Sequence, residues 1–331
     1  MRSRYLLLLI VGFLSVALSK RIDRGQPIAP AVPTLPYKLV EWPAQATSAA
    51  GFLAPWNLIQ VSGVAVTARG NVLVLHRGAH PILEFESSGK FVRSWGDGMI
   101  SEGKVAAIPR SNWAPDRSRY AAVYGPAGCD SCGAHSVRVD RQGNIWVVDA
   151  AGHVIYKMNP EAKEIMRLGT KGVSGSGPTT FNLPTDVAFG SDGDIYVTDG
   201  YGSARVVKYS HDGKYLMQWG KRGTGPGEFG LPHNIVADDQ GRLYVTDRDN
   251  RRVEVFDADG KFLTEWTETG EVSALAITRD GIWTGPVLRD LNGKVIGKLP
   301  AAMGAHGMTV TDSGDVYLAQ LSGVVQKFVK Q

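Results

Sequence analysis

The sequence predicts an all-β fold, a β-propeller of six four-stranded blades closed into a ring by an N-terminal strand. Three observations carry that expectation. A short apolar pattern ending in a glycine turn recurs six times. Within it, apolar residues alternate with period two rather than 3.6, which excludes a stack of helices. The copies recur at a period of roughly 40 residues, enough for four short strands and their turns.

The elements follow in order along the chain. Residues 1–19 read as an export signal: Arg2 and Arg4 form a basic start, an apolar run extends from Tyr5 to Leu18, and Ala17-Leu18-Ser19 offers small residues for cleavage. The run is short for a membrane span, which needs about 20 apolar residues. No integral span is therefore expected after cleavage, with an uncleaved anchor as the alternative. The protein is expected to be secreted or periplasmic. Residues 20–57 form a leader, and its segment Tyr37-Lys38-Leu39-Val40-Glu41-Trp42 resembles the fourth strand of a blade, as in Lys90-Phe91-Val92-Arg93-Ser94-Trp95. That segment is expected to complete the last blade after Val325-Gln326-Lys327-Phe328-Val329, which removes an open sheet edge. The propeller occupies residues 58–331. Residues 97–132 are too long and irregular for an ordinary connection and are expected to cover one face like a lid.

The six copies begin at Ser62, His135, Thr185, His233, Ser273 and His306, and each starts eight positions before its turn glycine. Four short strands per copy, joined by tight turns, also account for 40 glycines in 331 residues. Composition is otherwise that of an ordinary globular protein, with 43% hydrophobic and 21% charged residues. Loss of Arg2 and Arg4 with the signal takes the formal charge from +4 to +2, so nothing points to nucleic acid. A monomer is expected. Export places Cys129 and Cys132 in an oxidising compartment, where a disulfide across this C-x-x-C is the first expectation. Haem attachment would need histidine at the position of Gly133, and a cysteine zinc site would need a second pair.

The lead positions carry the chemistry. Histidine stands in blades two, four and six, as His135, His233 and His306. In a propeller this position opens the innermost strand, so all six side chains approach the axis near one rim. Alternate blades are a third of a turn apart, and three imidazoles so placed make a tripod. Catalytic zinc commonly takes three protein ligands and keeps one position open. His80, His153 and His211 lie off this register and read as structural or solvated. A second register, six to eight positions after each turn glycine, gives His76-Arg77-Gly78, Asp149-Ala150, Asp199-Gly200-Tyr201 and Asp247-Arg248-Asp249. Its recurrent aspartate reads as structural, bonding loop amides. Arg77, Arg248 and Tyr201 break the pattern and should sit near the histidine rim. An arginine there can clamp a carboxylate through two parallel hydrogen bonds, and a tyrosine beside a cation can serve as a base.

Together these residues resemble the peptidyl-α-hydroxyglycine α-amidating lyases, a family of NHL-repeat propellers. The resemblance covers nearly the whole mature chain. It rests on Asn71-Val72-Leu73-Val74-Leu75-His76-Arg77-Gly78 with His80, on Pro184-Thr185-Asp186-Val187-Ala188 leading to Asp199-Gly200-Tyr201, on Leu231-Pro232-His233-Asn234, and on Thr246-Asp247-Arg248-Asp249-Asn250. It implies a zinc-dependent carbon–nitrogen lyase that splits an α-hydroxyglycine-type substrate, a small peptide or peptide derivative, into an amide and glyoxylate. His135, His233 and His306 match the zinc ligands, Arg77 and Tyr201 the catalytic pair, and Arg248 a further active-site arginine.

Two positions depart from the family. The cysteine that follows the catalytic tyrosine in animal members is Gly202, and the acid that follows the third histidine and helps hold a structural calcium is Gly307. Zinc is thus the expected cofactor, and calcium has lost a ligand. These 331 residues contain no copper monooxygenase half. The alternatives are another metal-dependent propeller enzyme, such as a lactonase-like hydrolase, and a non-catalytic binding module. The histidine tripod disfavours the module, and Arg77 with Tyr201 favours the lyase over the hydrolase.

Overall fold

Strands form where apolar residues alternate, and each first turn falls at a glycine whose backbone lies in the left-handed region. The six turn glycines, Gly70, Gly143, Gly193, Gly241, Gly281 and Gly314, all have positive φ, a conformation that costs other residues strain. The protein is described here as a computed structural model covering residues 31–42, 58, 60–103 and 133–331. The chain divides into Met1–Ala31 and Val32–Gln331. Of the first unit only Ala31 lies within the described residues, and the fold is that of the second.

Each repeat becomes one antiparallel four-stranded sheet. Blade one is β2 (Val61–Val66), β3 (Val72–His76), β4 (Ile82–Phe85) and β5 (Phe91–Trp95). Blade two is β6 (Ala134–Val139), β7 (Ile145–Asp149), β8 (Val154–Met158) and β9 (Glu164–Gly169). Blade three is β10 (Asp186–Phe189), β11 (Ile195–Asp199), β12 (Arg205–Tyr209) and β13 (Tyr215–Trp219), with a single helical turn, α1 (Gly200–Ser203), between β11 and β12. Blade four is β14 (Pro232–Ala237), β15 (Leu243–Asp247), β16 (Arg252–Phe256) and β17 (Phe262–Trp266). Blade five is β18 (Leu275–Thr278), β19 (Gly281–Thr284), β20 (Val287–Arg289) and β21 (Val295–Lys298). Blade six is β22 (Gly307–Val310), β23 (Val316–Gln320), β24 (Val324–Lys330) and, from the other end of the sequence, β1 (Tyr37–Val40).

The ring closes as the sequence predicts. β1 pairs antiparallel with β24, Tyr37 opposite Lys330 and Val40 opposite Lys327. Trp42, just beyond, packs edge-on against Phe85 of blade one and Tyr317 of blade six. The leader reaches this place along blade five, where Lys298 donates its amide to the Pro33 carbonyl and Leu35 donates to the Lys298 carbonyl.

Six apolar clusters fill the six gaps between neighbouring blades. One example is Trp146, Val148 and Ile155 of blade two against Val187, Val197 and Tyr209 of blade three. Period-two alternation makes this work, because each blade buries both faces of its inner strands against a neighbour. The innermost strands β2, β6, β10, β14, β18 and β22 touch in sequence around the axis. Among the described residues, no helix is long and apolar enough to cross a membrane. The expected export signal lies outside the described residues, as does the expected lid beyond residue 103. Of that lid's first residues, Ser101 donates its amide to Asp149 and Gly103 donates to the Arg77 carbonyl.

Candidate metal centre

The lead residues reach the axis by a specific local device. At Ser62, His135 and His233 the pairing between the first and second strands of the blade slips by one residue. Such a bulge turns the extra residue out of the ladder and re-aims its side chain. Thr185 and His306 sit immediately before their strands, each anchored by an amide bond back to the second strand.

His135, His233 and His306 meet at one point. Their ring centroids form a nearly equilateral triangle with sides of 4.6, 4.7 and 4.9 Å, and one ring nitrogen from each lies within 4.8 Å of the others. The opposite nitrogens are tied down by a repeated contact. Nδ1 of His135 donates to the Thr185 carbonyl (2.7 Å), Nδ1 of His233 to the Ser273 carbonyl (2.9 Å), and Nδ1 of His306 to the Ser62 carbonyl (2.8 Å). Every even blade thus hangs its histidine on the lead residue of the next odd blade. A carbonyl only accepts, so the proton is fixed on Nδ1 and each Nε2 presents its lone pair to the shared point, where a cation can take it. All three rings are buried. Burial is the largest cause holding them neutral well below the usual histidine range, with Arg77 and Arg248 adding repulsion, and His306 falls to about 3.

Three neutral nitrogens facing one point are the donor set zinc prefers, with room for an open position. They are the wrong set for calcium or magnesium, which take oxygen. Among the described residues, this is the one group of histidine, aspartate or glutamate side chains assembled tightly enough to hold a metal ion.

Tyr201 stands over the triad. Its hydroxyl lies 3.2 Å from His135 Nε2 and 3.5 Å from His233 Nε2. The side chain is buried and is presented by α1, which the sequence did not suggest. A Cβ at Gly200 would collide with the Pro232 carbonyl, and one at Gly202 would collide with the side chain of Asn182. The backbone contact therefore demands glycine at 200, while a side chain at 202 would require Asn182 to move. Asn182 occupies the space beside position 202. Arg222 fixes the turn from outside, donating to the Tyr201 carbonyl at 3.1 Å and to the Gly230 carbonyl at 2.9 Å.

Both arginines lie at the same rim. Arg77 is 2% exposed and donates through Nη1 to Gln60 Oε1 at 2.8 Å. Arg248 sets its guanidinium 5.7 Å from the centre of the Tyr201 ring and pairs with Asp249 at 3.3 Å. The recurrent aspartates are structural, as expected. Asp149 accepts amides of Ser101 and Gly152, Asp199 accepts Asn182 and Arg205, and Asp247 accepts Gly230, Leu231 and Arg252. His80 pairs with Asp97 at the surface, and His153 accepts the Leu183 amide, both away from the triad. Cys129 and Cys132 lie outside the described residues.

Sequence reasoning missed Gln60, Arg222 and the three carbonyl partners. Gln60 and Arg222 stand off both repeat registers. The carbonyl partners are backbone groups, whose use no residue type announces.

The site and ring define a class: a six-bladed β-propeller with a buried three-histidine cluster at one end of its axis. Residues 185–268 match a family model described as a 6-bladed beta-propeller. In sequence the chain is similar to proteins named as peptidyl-α-hydroxyglycine α-amidating lyases. It is 36% identical over 167 residues to peptidylglycine alpha-amidating monooxygenase of Rattus norvegicus, covering 49% of this chain and 16% of that protein. It is 31% identical over 160 residues to the probable peptidyl-alpha-hydroxyglycine alpha-amidating lyase pgal-1 of Caenorhabditis elegans, covering 48% of this chain and 43% of that one. The chain thus spans less than half the length of either relative. Among solved structures, virginiamycin B lyase from Staphylococcus aureus superposes with a TM-score of 0.55 over 88% of this chain and 98% of that one. At 15% identity, that likeness shows the fold alone.

Proposed function

We propose that this protein is an exported zinc-dependent lyase that splits an α-hydroxyglycine-type substrate into an amide and glyoxylate. The observation that carries this reading is the pairing of Tyr201 with the triad: one phenol oxygen within 3.5 Å of two histidine nitrogens whose far sides are already committed. The homologues named as amidating lyases supply the reaction class.

His135, His233 and His306 hold the zinc through Nε2. When bound, zinc supplies a Lewis acid that acidifies the substrate hydroxyl. Tyr201 accepts the hydroxyl proton as the carbon–oxygen bond becomes the aldehyde of glyoxylate and the carbon–nitrogen bond breaks. The departing amide nitrogen takes a proton back, so the reaction consumes neither water nor oxidant. Arg77 holds the substrate carboxylate, which fixes the carbinol over Tyr201. Gln60 keeps that guanidinium in place. Arg248 sets its guanidinium over the face of Tyr201. Burial of the three histidines, Tyr201 and Arg77 keeps water from competing for the same contacts.

The test is glyoxylate release from a short peptide ending in α-hydroxyglycine. The expected result is glyoxylate and peptide amide in equal amounts, abolished by a chelator and restored by zinc. Zinc-loaded protein that releases no glyoxylate overturns the reading.

A further inference from the structure

A positive charge lies on the axis below the histidines. Arg138, three residues beyond His135 on β6, extends its guanidinium across the ring. Nε and Nη2 donate to the two carboxylate oxygens of Asp186 at 3.0 and 2.5 Å, Nη2 donates to Asn234 Oδ1 at 2.7 Å, and Nη1 donates to the Leu275 carbonyl at 3.3 Å. The acceptors are themselves engaged: Asp186 takes the Ile235 amide at 3.1 Å, and Asn234 takes the Leu275 amide at 2.6 Å. One side chain therefore ties the inner strands of blades two, three, four and five.

Its partners are the immediate neighbours of the histidine anchors. Asp186 follows Thr185, whose carbonyl receives His135. Asn234 follows His233 itself, and Leu275 lies two residues past Ser273, whose carbonyl receives His233. Arg138 also forms a floor. It lines a small cavity shared with His135, Asn234, His306 and Gly307, and it lines a separate cavity of about 530 Å³ at the other end of the axis.

The resemblance to the amidating lyases implies a structural calcium held in part by an acid after the third histidine. The residues present do not fit one. A Cβ at Gly307 would stand 2.7 Å from the Ser62 carbonyl oxygen and 2.9 Å from Gly63 Cα, so no acid has room there. The fully buried carboxylate of Asp186 is already neutralised by Arg138 in a fork geometry. We propose that Arg138 replaces a divalent cation in this protein: its guanidinium cross-links four inner strands and positions His135 and His233, and the ring needs no calcium.

The test uses the full exported chain and no substrate, so it stands or falls separately from the lyase assay. Wild-type melting curves in zinc-containing buffer, without added calcium and with millimolar calcium, are expected to superimpose. Arg138→Met is expected to lower Tm by roughly 5–10 °C, because Asp186 is left charged and buried. It is also expected to weaken zinc binding about tenfold, read by chelator competition, because Asp186 and Asn234 adjoin Thr185 and His233 and the histidine contacts shift with them. Arg138→Lys should recover part of both effects, since an ammonium keeps the charge but not the fork. A wild-type Tm that rises with calcium overturns the proposal, as does an Arg138→Met protein that melts and binds zinc like wild type. A lowered Tm with unchanged zinc affinity overturns the positioning role. If Arg138→Met does not fold, Arg138→Lys and the calcium titration decide by the same criteria.

Discussion

His135 donates through Nδ1 to the carbonyl of Thr185 at 2.7 Å, across the boundary between blades two and three and fifty residues along the chain. His233 and His306 repeat the contact with Ser273 and Ser62. The consequence is a tripod whose tautomers and ring planes are set by the backbone before any cation binds, which lowers the cost of binding one.

Replacing one leg should therefore empty the site without dissolving the ring. His135→Ala is expected to reduce bound zinc from about one per chain to near none. The six apolar clusters between blades are untouched, so circular dichroism should be unchanged. Metal analysis after gel filtration gives the answer, and full zinc occupancy in the variant would remove His135 from the site.

Tyr201→Phe keeps the buried ring and removes one oxygen. Zinc content and KM should hold, while kcat falls by about 10²–10⁴, the usual contribution of a positioned proton acceptor. A kcat within twofold of wild type assigns the proton to another group.

Arg77→Ala should raise KM and lower kcat/KM by about 10–100-fold, the worth of a charged hydrogen bond to a carboxylate. Gln60→Ala should do the same more weakly, since it leaves the guanidinium itself and removes one group that holds it. Steady-state kinetics on substrates with and without a free carboxylate separate the two, and Arg77→Ala should make no difference when the carboxylate is blocked.

Acid should destabilise the metal-free protein in a defined window. An unfolded histidine takes up its proton near pH 6.5. Burial, aided at the triad by the nearby arginines, keeps His135 and His233 neutral far below that, His306 to about 3, and buried His76 to about 4. Between those values the unfolded chain binds protons that the folded chain refuses, so stability is complete above about pH 6.5 and falls with acid at up to about 1.4 kcal/mol per pH unit for each ring. Thermal melts of wild type and His306→Gln from neutral pH to about 4 should converge as acid is added. Parallel curves would show that His306 makes no such contribution.

Ring closure is testable at Trp42, which joins blade six to blade one through Tyr317 and Phe85. Trp42→Ala should cost about 3–5 kcal/mol in urea unfolding, in line with loss of a buried aromatic. A cost below about 1 kcal/mol would mean that the pairing of β1 with β24 closes the ring unaided.

The number of blades, the strand that closes the ring and the identity of the three axial histidines were all legible in the residues. Each depends on a periodic signal: alternation of apolar side chains, a turn glycine at fixed distance, and a histidine recurring at every second lead position. Arg77, Tyr201 and Arg248 were legible as exceptions to such a signal. What no period announces had to come from the tertiary structure. Gln60 reaches Arg77 from outside any repeat, Arg222 grips Tyr201 through its backbone, and Arg138 finds Asp186 and Asn234 across the axis. The carbonyls of Ser62, Thr185 and Ser273 that orient the triad are present in every residue. A repeat writes its own strands into the sequence because local alternation and turns fix them, whereas the contacts that finish the site join different blades, and only the closed ring brings those blades together.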